Sequence, residues 1–214
     1  MRKVAELVGN LYKISFIKYR LHLLKDPKFK KVLVGQDEIS LSIEKNIVKY
    51  LCASIIGQQL SVKVAAVIRD RFFSLLDTRK NVAIQILNLE IESMRMVGLS
   101  ASKAAYIKNL ATFSVQHKDR LTRLHTCTDE EIIAILTEIK GIGRWTVEML
   151  LMFAMGREDV FPVDDLGIQQ AMIKLYSIEV ERKKDLKLKM NEIALKWRPY
   201  RTYACLHLWR WKDG

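Results

Sequence analysis

The residues best suited to chemistry sit in two short stretches. The first, Leu136-Thr137-Glu138-Ile139-Lys140-Gly141-Ile142-Gly143-Arg144-Trp145-Thr146, joins two apolar helical patterns through a Gly-x-Gly turn. Gly141 and Gly143 permit positive φ and the close approach of another backbone. The turn opens directly into the next helix. N–H groups from the glycines and the first helical turn, through Thr146, therefore lack intrahelical acceptors and suit an anionic oxygen. Lys140 and Arg144 flank the turn with positive charge. A C-cap glycine before a tight helix–helix turn would use the same residue type. The Leu/Ile helix before this turn and the Arg-Trp-Thr after it set it apart. The second stretch, Val160-Phe161-Pro162-Val163-Asp164-Asp165, pairs two aspartates. One of two such carboxylates can cap a helix N-terminus. The other can orient or deprotonate water, or stabilise a developing cation.

Composition narrows what these groups act on. The chain has 214 residues with 36 Lys and Arg against 24 Asp and Glu, a net charge of +12. Such an excess points to a polyanion such as nucleic acid, an anionic membrane face or an acidic protein, with solubility alone as the plain alternative. Cys52, Cys127 and Cys205 are odd in number and contain no CxxC pair. They cannot build a zinc ribbon or a four-thiolate iron–sulfur cluster, and imply free thiols in a reducing compartment. His22, His117, His125 and His207 are scattered, so no metal-ligand spacing emerges; His207 reads as packed or capping. No apolar run reaches the 18 or so residues of a membrane span, and the start has no signal-peptide core. A cytoplasmic, nucleoid-associated location in a bacterium, or a nuclear one in a eukaryote, is the corresponding expectation.

The positioning elements are helices. Nine glycines and three prolines are few beside the roughly 25 of average usage, which disfavours turn-rich sandwiches and barrels. Apolar residues recur at three and four: Val48, Leu51, Cys52, Ile55 and Ile56, then Val64, Val67, Ile68, Phe72 and Leu75 behind Ser61 as N-cap. Ala105, Ile107, Leu110 and Ala111 follow Ser100. Thr128-Asp129-Glu130-Glu131 has the capping-box form and opens a helix through Leu136. Val147 to Phe153 is almost wholly apolar and predicts a central buried helix ending at Gly156. Further helices are expected around Ile168 to Leu175 and Leu188 to Trp197, and from Pro199 through Trp209, with Ser177 to Lys184 as a loop or solvated helix ends. The sum is an all-α protein of roughly ten short helices.

With these residues in place, the chain resembles the helix–hairpin–helix superfamily of base-excision DNA glycosylases. Residues 137–147 look like its hairpin, and Asp165 matches its catalytic aspartate. Ile55-Ile56-Gly57-Gln58-Gln59-Leu60-Ser61 resembles the segment supplying a pocket glutamine and a residue wedged into DNA. Gly98-Leu99-Ser100-Ala101-Ser102-Lys103-Ala104 resembles the stretch before its next helix. Trp197-Arg198-Pro199-Tyr200-Arg201-Thr202-Tyr203-Ala204-Cys205-Leu206-His207-Leu208-Trp209 is similar to the alkylated-base branch, DNA-3-methyladenine glycosylase II. The resemblance runs from about Leu51 to Trp211; the first forty or so residues match loosely, and the N-terminal β domain of some members has no room.

The resemblance implies two helical lobes around a DNA-binding cleft. Residues 1–45 and 166–214 would form a terminal lobe and 46–165 a central lobe. Asp165 would be catalytic and Asp164 the helix cap. Gln58, Trp145, Met149 and Trp209 would line the base pocket, with Gln59 as wedge. Lys140, Gly141, Gly143, Arg144 and Thr146 would bind DNA phosphate. Main-chain carbonyls of Thr137, Ile139 and Ile142 would hold a monovalent Na+ or K+; no other cofactor and no iron–sulfur cluster are implied. Trp145 stands where bifunctional members carry a nucleophilic lysine, which implies a monofunctional enzyme. The expected partner is double-stranded DNA with damaged bases, bound by a monomer without membrane association. Two other readings stay open: the same fold acting on deaminated or oxidised bases, and a non-enzymatic helix–hairpin–helix DNA-binding protein.

Overall fold

Short polar side chains start half of the described α-helices. Asn46 accepts from the Lys49 N–H at 2.9 Å and begins α2; Ser61, Asn81 and Ser100 do the same for α3, α4 and α6. Each satisfies an N–H that the helix itself cannot. At Thr128 and Glu131 the capping box forms in full. The computed structural model describes residues 18–44, 46–77 and 79–214. Residues 18–23 are helical, followed by α1 (Lys30–Leu33), α2 (Ile47–Gly57), α3 (Val62–Ser74), α4 (Val82–Asn88), α5 (Ile91–Met96) and α6 (Ala101–Gln116). Then come α7 (Lys118–Thr122), α8 (Asp129–Thr137), α9 (Arg144–Phe153), α10 (Leu166–Tyr176), α11 (Lys183–Ala194) and α12 (Arg201–Asp213). No strand occurs among the described residues, so the expected all-α class holds. The last helix starts at Arg201, two residues beyond Pro199.

The chain divides into two units, Ile43–Met155 and Met1–Ser42 with Gly156–Gly214. In the first, α6 packs against α2 and α4, and α9 against α8 and α2. Leu51, Cys52, Ile55 and Ile56 of α2 and Ile107, Leu110 and Ala111 of α6 are fully buried, as their spacing predicts; Ala105 is exposed, and Ala104, one position earlier, takes the buried place on α6. Val147, Leu150, Leu151 and Met152 make α9 the central buried helix. Burying each such large side chain contributes roughly 1.5–3 kcal/mol.

In the second unit α12 packs on α10 and α1. Trp197 is wholly buried among Phe29, Phe161 and Tyr176, with ring centroids 5.3, 5.9 and 6.3 Å away. That gives Trp197 a core role. The boundary at 155/156 falls before the expected 165/166, so Asp164 and Asp165 belong with the terminal segments. The reason is local bonding. Asp159 pairs with Arg198 and Arg201 at 2.9 and 2.7 Å. The Thr202 hydroxyl accepts from the Val160 N–H at 3.0 Å and donates to the Arg157 carbonyl at 2.6 Å. Residues 157–160 are thereby tied to the start of α12.

Candidate active site

The turn between α8 and α9 is shaped by one glycine. Gly141 has φ +106°, and a Cβ there would lie 2.2 Å from Cγ of Tyr106, closer than any side chain tolerates. Gly143 is different. It is the N-cap of α9 with φ −97°, offers no side-chain cap, and a Cβ on it would meet nothing within 4 Å. The first turn of α9 therefore opens at a residue with no side chain, the arrangement that lets an anion approach backbone N–H groups. Lys140 is exposed beside it.

Two of the residues expected at the phosphate also have other side-chain surroundings. Arg144 is exposed but ion-paired: its Nη1 and Nη2 donate to the exposed Glu130 at 3.0 and 2.6 Å, and its Nε to the buried Glu148 at 3.0 Å. This pairing holds the Glu130 carboxyl below the usual carboxylate range. Arg144 is thus a brace between the start of α8 and α9, because a bidentate carboxylate satisfies its planar fork. Thr146 is 4% exposed and its side chain belongs to a pocket wall, so only its main-chain N–H suits a phosphate.

That pocket, about 660 Å³, lies between α2 and α9. Tyr50, Ser54 and Gln58 recur at four-residue spacing along α2 and its end; Trp145, Met149 and Phe153 do so along α9. Tyr50 donates from its hydroxyl to the Met149 carbonyl at 3.1 Å, and burial pushes its phenol above the ordinary value. Trp145 is 44% exposed, unusual for an indole in a folded core. No aspartate or glutamate is among the described residues lining the pocket. Gln58 donates from Nε2 to the Gly141 carbonyl at 3.2 Å. Gln59 beside it is exposed at φ +58°, a left-handed conformation that costs a non-glycine residue about 1 kcal/mol or more.

In the terminal unit, Asp165 is the N-cap of α10. Its Oδ1 accepts from the Ile168 N–H at 2.8 Å and from Nε1 of Trp209 at 2.9 Å. It is 9% exposed. The cap expected at Asp164 is therefore made by Asp165. Asp164 is displaced by one residue from the helix start and pairs with Lys187 instead. Gly167 sits against this contact: a Cβ there would come within 3.0 Å of the Trp209 ring and 3.1 Å of Asp165 Oδ1.

Residues 52–197 match the HhH-GPD superfamily of base excision DNA repair proteins. The chain belongs to this superfamily. It is 36% identical over 205 residues to DNA-3-methyladenine glycosylase 1 of Schizosaccharomyces pombe, covering 92% of this chain and 87% of that protein. The structure of the 3-methyladenine DNA glycosylase of that yeast in complex with abasic DNA matches with TM-score 0.76 at 33% identity, covering 90% and 95% of the two chains. A DNA-3-methyladenine glycosidase from Bacillus halodurans matches with TM-score 0.77 at 32% identity over 90% and 88%. DNA-3-methyladenine glycosylase 2 of Escherichia coli is more distant, 24% identical over 73% of this chain and 54% of its own.

Among the residues that the superfamily resemblance singles out, Gln58, Trp145 and Met149 line one pocket, with Gln59 at its rim. Trp209 belongs to the other unit and holds Asp165. Tyr50, Ser54 and Phe153 were not singled out from sequence, although they continue the helical spacing of Gln58 and Met149. Gly167 also escaped notice, since the sequence signal is only a glycine early in a helix.

Proposed function

We propose that this HhH-GPD protein is a DNA glycosylase that extrudes an alkylated purine, such as 3-methyladenine, from duplex DNA and hydrolyses its N-glycosidic bond. The observation that carries the reading is the pocket in which a half-exposed Trp145 meets Gln58, Tyr50 and Ser54 without a described carboxylate. An alkylated purine is cationic, so an indole face attracts it. It departs as a neutral base, so the pocket needs no strong general acid. Asp165, oriented by the α10 N-terminus and by Trp209, would stabilise the cationic sugar and direct water to it. The names of the relatives support the same substrate class.

Backbone N–H groups around Gly143, with Lys140, would take a DNA phosphate, and Gln59 would fill the space left by the extruded nucleotide. The carbonyls at the end of α8 suit an alkali cation by their chemistry. A helix C-terminus leaves such oxygens without intrahelical donors. The Ile139 carbonyl accepts one N–H, from Ile142 at 3.0 Å, and keeps a second lone pair. Thr137, Ile139 and Ile142 would hold Na+ or K+ there, screening the adjacent phosphate. Trp145 cannot form a Schiff base, so the enzyme would leave an intact abasic strand. The type II assignment rests on the likeness of residues 197–209 to that branch, and a monomer is the expected state.

The deciding experiment is release of methylated purines from alkylated DNA, read by chromatography, beside duplexes carrying uracil, hypoxanthine or an oxidised guanine. Alkylated purines are expected to be released and Asp165→Asn to abolish release while duplex binding persists. Borohydride should trap no covalent DNA adduct. A fully active Asp165→Asn variant, or preferential release of a neutral base, would overturn the reading.

A further inference from the structure

One face of α6 contacts both turns through which the protein would handle DNA. Lys103 donates from Nζ to the carbonyls of Ile56 and Gln58 at 2.8 and 2.7 Å, where α2 ends and Gln59 adopts positive φ. Three residues on, the Tyr106 ring occupies the space a side chain at Gly141 would need. Three further on, Asn109 donates from Nδ2 to the Lys140 carbonyl at 3.3 Å. Steps of three residues turn by about 60° less than a full circle, so the three side chains stay within one side of the helix and span about 9 Å of its length. Gln58 closes the triangle by donating to the Gly141 carbonyl. Lys103 is half-buried and its ammonium faces backbone oxygens, so its charge serves the helix end of α2.

We propose that Lys103, Tyr106 and Asn109 are positioning residues through which α6 fixes the distance and orientation of the Gln58–Gln59 turn relative to the Lys140–Gly141 turn. A flipped nucleotide is held at two points, its phosphate and the gap it leaves, and the protein can serve both only if those turns keep a fixed separation. Lys103 donates hydrogen bonds to two carbonyls at the end of α2, and thereby holds Gln59 in its strained conformation. The proposal rests on the reading of the chain as a base-flipping glycosylase.

The test compares Lys103→Met with Lys103→Arg in the full chain. The measurements are affinity for a duplex with a tetrahydrofuran abasic site, the fluorescence rise of a neighbouring 2-aminopurine on binding, and single-turnover release of methylated purine. Lys103→Met is expected to bind within about twofold of the wild type, to lose most of the fluorescence rise and to slow release by about 100-fold, the scale of a misplacement near 1 Å. Lys103→Arg, which keeps charge and donors, should recover most of both. Wild-type fluorescence and release in Lys103→Met would overturn the proposal. So would a parallel fall of binding, fluorescence and thermal midpoint that arginine does not rescue. Should Lys103→Met fail to fold, Asn109→Ala reads the other end: duplex binding should weaken about threefold with a smaller fluorescence rise per complex, and unchanged values would overturn it. A wild type that binds and raises the fluorescence but releases no methylated base counts against the glycosylase reading alone.

Discussion

Asp165 makes the α10 cap, and on the proposed reading it would also be the catalytic carboxylate, two duties that the sequence divides between neighbours. A capping aspartate and a catalytic aspartate both want a fixed carboxylate at a helix start, so adjacent Asp164 and Asp165 look alike in sequence. Which one caps depends on where the helix begins to within one residue, and helix boundaries are the least legible feature of a sequence. The partner that finishes the orientation, Trp209, lies 44 residues away, beyond the reach of any local pattern. Gly167 keeps that contact short. An alanine there improves helix propensity, since glycine within a helix costs about 0.5–1 kcal/mol relative to alanine. Its Cβ must also push on the Trp209 ring and on Asp165 Oδ1. Gly167→Ala is therefore expected to slow base release by about 10-fold with no fall in thermal midpoint. Single-turnover kinetics beside a melting curve checks this; an unaltered rate would show that Trp209 and Asp165 have room to give.

At the scale of elements, what was legible is what is local. Ser61, Ser100 and the Thr128–Glu131 box start their helices as their sequences say, because each cap and its N–H lie within three residues. The hairpin was legible for the same reason, since Gly141 and Gly143 announce it. Its braces were not. Arg144 reads as a phosphate ligand, and nothing local shows that Glu130, in the preceding helix, pairs with its guanidinium; Lys103 likewise gives no hint of carbonyls 45 and 47 positions earlier. The two glycines also differ in what they require. Gly141→Ala combines unfavourable φ, which costs roughly 1–2 kcal/mol, with a 2.2 Å encounter with Tyr106. It is expected to lower the thermal midpoint and weaken duplex binding by about 10-fold or more, with Tyr106→Ala in the same chain restoring part of each. Fluorescence anisotropy and melting curves decide. A Gly141→Ala protein that binds and melts as the wild type would mean the turn is not held against α6.

Over the whole molecule, the charge of +12 said only that a polyanion was involved, and the fold gives part of that charge other work: Arg144, Arg198 and Arg201 brace helices and Lys103 caps one. A second global consequence comes from His207, which is wholly buried in the terminal unit. Its Nδ1 meets Gln36 Oε1 at 2.7 Å and its Nε2 meets the Tyr19 hydroxyl at 3.3 Å, which itself accepts the Ile39 N–H. That pattern fits a neutral ring donating from Nδ1 and accepting at Nε2. Burial, with Arg20 and Arg210 nearby, pushes the imidazole down to about 4 from 6.5. The folded state then refuses a proton that the unfolded chain takes up below about pH 6.5, so stability is flat above that pH and falls between 6.5 and 4. Between pH 6.5 and 5 the loss is at most about 2 kcal/mol. The paired carboxylates Glu130, Glu131 and Glu138, all held below their ordinary values, add their losses only at lower pH. Urea denaturation of the wild type at pH 7.5, 6.5 and 5 should show this fall, and His207→Gln, which keeps polar atoms but cannot titrate, should flatten it. An equal fall in His207→Gln would assign the acid sensitivity to other groups.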